Sequence, residues 1–137
     1  MDYKEFIGSK GVEYTKNTVN AGDIKKIERE LKVSFGNELK QYILTYGYLA
    51  YKHVELYGIN SKQLIGSDMV KQTKYLHEYF PDTTDYIALE NTGDGNYILV
   101  SYDDRIYEYS TEEKRLTDTG LKLFDYIFKR FQQIEED

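Results

Sequence analysis

One stretch limits the folds open to this chain more than any other: residues 87–109, Ile-Ala-Leu-Glu-Asn-Thr-Gly-Asp-Gly-Asn-Tyr-Ile-Leu-Val-Ser-Tyr-Asp-Asp-Arg-Ile-Tyr-Glu-Tyr. Residues 87–89 and 97–102 are rich in β-branched and aromatic side chains, which suit a pleated, half-buried surface. Between them Gly93, Asp94, Gly95 and Asn96 supply the positive-φ positions that a hairpin loop needs. Asp103-Asp104 makes a second turn, and residues 105–109 return as a third strand. A three-stranded antiparallel meander needs a cover, so the flanking segments are read for helices.

Asn20 caps a helix over residues 20–31, with Asp23 three positions on, where an acid suits a helix start. Ile24, Ile27 and Leu31 share one face, while Lys25, Lys26, Glu28, Arg29 and Glu30 point away from it. A second helix, 37–46, is expected to be capped by Asn37, to turn Leu39, Tyr42, Ile43 and Tyr46 inward, and to stop at Gly47. The short connection predicts that these two helices pack as an antiparallel pair. Residues 54–58 read as a strand and 60–66 as a loop. A third helix, 67–80, takes Ser67 or Asp68 as its cap, buries Met69, Thr73, Leu76 and Phe80, and ends at Pro81. Residues 111–114 form a turn and 115–117 a fourth short strand. Asp118 or Thr119 then caps a last helix with the clearest apolar stripe in the chain: Leu121, Phe124, Ile127, Phe128, Phe131 and Ile134. The acidic end at 135–137 opposes the helix dipole and is expected to fray. Residues 2–7 suggest a helical turn, and residues 8–18 a linker or short extended segment, so 1–19 is taken as a loosely ordered lead-in. The expectation is one α+β domain spanning 1–137, an antiparallel meander covered by helices.

At 137 residues such a chain buries a real core. It has no cysteine, which removes disulfides and thiolate metal sites. No basic-then-apolar leader opens it, and no apolar run approaches the ~20 residues of a membrane span. A cytoplasmic protein without membrane contact is therefore expected.

The net charge of −6 is unevenly placed. Residues 82–118 hold ten acids against three basic residues, while residues 1–81 hold twelve basic residues against ten acids. This disfavours nucleic acid as a direct partner of the meander and favours a basic protein or a cation, although a merely solvated face has the same composition. Fifteen tyrosines accompany no tryptophan. Tyrosine is enriched in interfaces, but A+T-rich coding bias and ordinary strand packing raise it too.

The chemistry needed for catalysis does not assemble in this sequence. Thr92-Gly93-Asp94-Gly95-Asn96 fits neither a dinucleotide fingerprint nor a P-loop, and it joins strand to strand, so no helix N-terminus awaits a phosphate. Asp94 and Asn96 have the spacing of calcium-loop ligands, but the closing Glu is missing. His53 and His77 are the only two histidines and share no ligand spacing. Asp103-Asp104 serves turn geometry more naturally than acid–base work, and Ser67, Ser101 and Ser110 lack a nucleophile-elbow context. No enzyme, metal or cofactor is expected.

The run Ile24-x-x-Ile27-Glu28-x-x-Leu31-x-Val33, followed by Leu39-Lys40-Gln41-Tyr42-Ile43-Leu44-x-x-Gly47, resembles the opening of the SUKH superfamily. Leu56-Tyr57-Gly58, the strand–turn–strand from Ile87 through Tyr97, Arg105-Ile106-Tyr107-Glu108-Tyr109 and Phe124-x-x-Ile127-Phe128 are similar to that family's later elements. The chain departs from the family at its usual Leu-Pro before the second helix, which here is Phe35-Gly36. The resemblance implies a non-catalytic immunity protein that binds a cognate toxin domain, commonly a nuclease or deaminase. A regulatory scaffold with no toxin partner would use the same surface, and a small-ligand binder would require a deep pocket on the sheet. For the toxin reading, the candidate contacts on an acidic face are Glu90, Asp94, Asp103, Asp104 and Glu108, with Tyr97, Tyr102, Tyr107 and Tyr109 as anchors, at least half of the tyrosines being core. An exposed edge of the meander also offers a second copy a place to pair.

Overall fold

The computed structural model describes residues 5, 7–8, 13–16, 19–59 and 66–136, with the backbone alone described for 13–16 and 134–136. The expected helical turn over 2–7 and the loop at 60–66 fall largely outside these residues; of the acidic end expected to fray, residues 135–136 are helical in backbone and Asp137 lies outside. Glu5, Ile7 and Gly8 are helical, and Ile7 is buried.

Strand β1 (Glu13–Lys16) lies in the segment read as linker or extended chain. It is extended and pairs antiparallel with β2 (Tyr46–Tyr51), which pairs in turn with β3 (Val54–Leu56). Helix α1 (Ala21–Leu31) opens on the expected capping box: the Asp23 N–H donates to Asn20 Oδ1 at 2.9 Å, and the Asn20 N–H donates to Asp23 Oδ2 at 3.1 Å. Ile24, Ile27 and Leu31 are buried, as the period requires.

Helix α2 (Asn37–Thr45) departs from the expectation at both ends. Its cap is Gly36, not Asn37, and no side chain of its own closes its first turn. Instead the Glu38 and Leu39 N–H groups donate to the Asp104 carboxylate, at 3.0 and 2.9 Å. Gly36 sits against that same carboxylate. A β-carbon there would collide with that carboxylate, so the position must stay bare. At the far end Gly47 is no stop signal, because the helix runs directly into β2 at Tyr46. Gly47 instead brings its carbonyl against Gly58, where only a missing β-carbon permits the approach. Nor do the first two helices make their main contacts with each other: α1 packs on α3 (Asp68–Tyr79) and α2 on α4 (Leu123–Glu136).

Helix α3 begins after Ser67, ends at Phe80, and passes through a 3-10 turn, Pro81–Thr83, into the meander. Strands β4 (Ile87–Asn91), β5 (Asn96–Val100), β6 (Arg105–Ser110) and β7 (Arg115–Lys122) lie side by side in sequence order, all antiparallel. The register shifts between Ala88 and Glu90, leaving Leu89 as the extra residue. Its carbonyl accepts the Tyr57 N–H at 2.7 Å, which ties the end of β3 to β4.

The fourth strand is longer than expected and absorbs the proposed helix cap. Asp118 sits opposite Tyr107 in the ladder, and α4 starts only at Leu123. The Phe124 N–H is met by Glu38 Oε1 at 2.9 Å. Asp104 therefore caps α2, and a residue of α2 caps α4. Leu121 belongs to the strand, not to the helical stripe.

Both faces of the meander are covered. Leu89, Ile98, Val100 and Ile106 join the large core with Ile127 and Phe131 of α4. Ala88, Tyr97, Leu99 and Tyr109 face Leu76 of α3, flanked by Phe80, Tyr86 and Leu116. Each fully buried Leu, Ile, Val or Phe side chain among these contributes about 1.5–3 kcal/mol.

Candidate functional site

The turn between β5 and β6 decides what the sheet shows to a partner. The Asp104 N–H donates to the Ser101 carbonyl at 3.0 Å, and the Ser101 N–H donates to the Arg105 carbonyl at 3.0 Å. Asp104 is left-handed, φ 67°, a conformation that aspartate tolerates better than most residues. The turn thus sends two adjacent aspartates in opposite directions. Asp104 points inward to the start of α2 and is 6% exposed. Tyr102 and Asp103 point outward, Tyr102 with 70% exposure. The Ser101 hydroxyl hydrogen-bonds the Asp103 carboxylate and, with a smaller backbone contribution, holds it below the usual aspartate range.

Outside this turn lies a groove of about 790 Å³. One wall is the sheet side: Asp85, Tyr86, Tyr102, Asp103 and Tyr107. The other is α1 from Lys25 onward and the residues after it, among them Arg29 and Lys32. The Tyr86 and Tyr107 rings meet edge to face with centroids 5.1 Å apart. The Tyr86 carbonyl is held by His77 Nε2 at 2.8 Å, which gives that histidine a packing role. Burial, then the nearby Tyr107, Asp85, Asp103 and Asp118, push the Tyr86 phenol up, so it stays a neutral donor. Glu28 also lines the groove but is committed: its Oε2 accepts the Phe35 N–H at 2.8 Å.

Of the nine residues expected on a partner-facing surface, Tyr102, Asp103 and Tyr107 come together here. Four others are interior and present nothing to a partner. Asp104 is the cap just described. Glu90 is 1% exposed and accepts from Tyr126 Oη at 2.6 Å and Arg130 Nη2 at 2.9 Å. Tyr109 is 1% exposed and packs on Phe80. Tyr97 is buried, with its hydroxyl donating to Gln72 Oε1 at 3.3 Å. The covers differ: Tyr97 and Tyr109 lie under α3 and the residues after it, Glu90 lies under α4, and Asp104 turns in beneath the start of α2. Asp94 and Glu108 are exposed, but neither lines the groove. Asp94 lies in the β4–β5 turn, at the opposite end of the sheet, where Thr92 Oγ1 donates to it at 2.6 Å and lowers its pKa. The acidic segment is therefore not one face. Its charges divide between the groove end, with Asp85, Asp103 and Asp118, and the hairpin-tip end, with Asp94, Glu112 and Glu113.

Asp85, Tyr86 and the α1 cations were not singled out from sequence. The spacing of Lys25, Arg29 and Lys32, four and three apart, places them on one helix side. That pattern is indistinguishable from an ordinary solvated face until the opposite wall is known. Among the described residues no group of three or more His, Cys, Asp or Glu is placed to hold a metal ion, and no helix is long and apolar enough to cross a membrane.

A comparison with curated proteins gives no match. Residues 2–132 match the family model SUKH_5, described as SMI1-KNR4 cell-wall; the chain belongs to the SUKH superfamily.

Proposed function

We propose that the chain is an immunity protein that binds a cognate toxin domain in the cytoplasm, most simply a nuclease with a basic cleft, and neutralises it by contact at the groove end of the sheet. The observation that carries this reading is Tyr102, largely exposed on a turn pinned from beneath by Asp104, beside the ionised Asp103. An exposed aromatic on a rigid support loses little entropy on binding and makes a natural anchor, and adjacent carboxylates speed capture of a basic partner. Family membership supports a role through protein contact rather than catalysis.

The test is growth rescue and direct binding with the toxin domain encoded beside this gene. Tyr102→Ala is expected to weaken binding by about 2 kcal/mol, roughly thirty-fold. Asp103→Lys should abolish rescue at low expression. Rescue that survives both changes removes this surface from the reading. A gene with no toxin beside it points to a regulatory scaffold instead.

A further inference from the structure

The groove is not uniformly acidic, and this bears on what can occupy it. Its sheet wall carries Asp85 and Asp103, and its helix wall carries Lys25, Arg29 and Lys32. Among the described residues none of these five forms an ion pair, although Arg105 and Asp118 do so just beyond, at 3.2 Å. Opposite charges thus face each other across a space of about 790 Å³ without closing it. A purely basic ligand would be drawn to one wall and repelled by the other, and a purely acidic ligand would meet the reverse.

We infer that the groove receives a partner segment carrying charges of both signs, a basic side chain against Tyr86, Tyr107 and Asp103 and an acidic one against Arg29 and Lys32. The inference rests on the reading above and names the chemistry of the partner's contacting segment. The tyrosines give the basic group ring faces as well as carboxylates, a combination that favours arginine over lysine. The α1 cations give the acidic group a flexible but multiple set of donors. The groove then fixes the direction in which the segment lies, because reversing it places like charges together at both walls.

The test uses the isotope-labelled full chain and three capped hexapeptides of equal length, carrying one Arg and one Glu, two Arg, or two Glu, titrated at low salt and followed by amide shifts. The mixed peptide is expected to bind at least about five-fold more tightly than either single-sign peptide, with shifts at Tyr102, Tyr107 and Arg29. Asp103→Asn and Arg29→Gln, both at exposed positions, should each weaken the mixed peptide by about two- to five-fold. Equal or tighter binding of the two-Arg peptide overturns the inference, as does an Arg29→Gln variant that binds the mixed peptide unchanged. The two readings fail separately. Rescue from the neighbouring toxin that needs Tyr102 and Asp103 but is improved by Arg29→Gln leaves the immunity reading standing and removes the mixed-charge one. A clear preference for the mixed peptide without any toxin binding does the opposite.

Discussion

Removing the Asp104 carboxylate should cost far more than a turn residue usually does, and the structure says how much. The group accepts the Glu38 N–H at 3.0 Å and the Leu39 N–H at 2.9 Å, and it is 6% exposed. Loss of a helix cap costs about 0.5–2 kcal/mol, and a buried donor left unmet costs about 1–3 kcal/mol. Water entering the vacated space recovers part of this, so about 2–3 kcal/mol is expected for Asp104→Gly. Glycine is the better probe because φ is 67° here, and Asp104→Ala would add about 1 kcal/mol for a left-handed residue. The same geometry predicts a coupling. Gly36→Ala alone forces the carboxylate off its donors and should cost a similar 2–3 kcal/mol, since a β-carbon occupies the carboxylate's place. In the Asp104→Gly background that space is empty and Gly36 has an ordinary φ of −74°, so the added alanine should cost less than about 0.5 kcal/mol. Urea unfolding followed by circular dichroism measures all four proteins of the cycle. Additive single and double changes would refute the steric and capping account, as would an Asp104→Gly loss below about 1 kcal/mol.

Other consequences follow from the same packing. Glu90→Gln should cost about 2–3 kcal/mol, because the amide has one oxygen: kept for Tyr126 Oη, it leaves Arg130 facing the NH2 group, donor against donor; this is less than the ~3–5 kcal/mol for breaking a fully buried pair, since Arg130 is 24% exposed. Gly58→Ala should cost more than about 3 kcal/mol or prevent soluble expression, since its β-carbon would meet the Gly47 carbonyl; an unchanged urea midpoint would contradict the close approach. Burial, with neighbouring Tyr97, Asp68, Glu55 and Glu90, pushes the Tyr57 phenol up to about 12. A raised folded pKa gives stability that is intact below the ordinary tyrosine value near 10 and is lost as pH rises toward 12. Tyr57→Phe should therefore shift the alkaline unfolding midpoint upward, and no shift would count against it. Asp103 has the opposite sign: its lowered pKa contributes above the ordinary aspartate value near 4 and is lost as pH falls through the folded value. Ser101→Ala should return the Asp103 titration, followed by carbon-detected NMR, toward that ordinary value.

Much of this architecture was legible from residue order. The meander, the Asn20–Asp23 cap of α1, the buried Ile24, Ile27 and Leu31, and the Pro81 stop all rest on signals within a few positions of one another. Local geometry fixes these, so a linear reading suffices. The misreadings have a common cause. Asn37 looked like a cap because nothing nearby revealed that Asp104, 66 positions from Glu38, would do the work. Gly47 looked like a stop because its true constraint, the approach of Gly58, comes from the segment just after β3. Asp118 looked like a helix start because the length of β7 is set by its ladder with β6.

For the functional surface the division is sharper. Sequence alone located the acidity in residues 82–118 and singled out Tyr102, Asp103 and Tyr107. It had no means of telling Asp103 from Asp104, or Tyr107 from Tyr109, because each pair is chemically identical. Only the fold separates them: the turn sends Asp103 outward and Asp104 inward, while Tyr107 and Tyr109 share one face of β6 and differ because Phe80 covers Tyr109, whereas Tyr107 lies beside Tyr86 at the groove. The opposing wall of Lys25, Arg29 and Lys32 is likewise a product of tertiary packing, which sets a helix from the start of the chain across from a turn some seventy residues later. Charge and composition are properties of the chain, but which charges face one another depends on how its core closes.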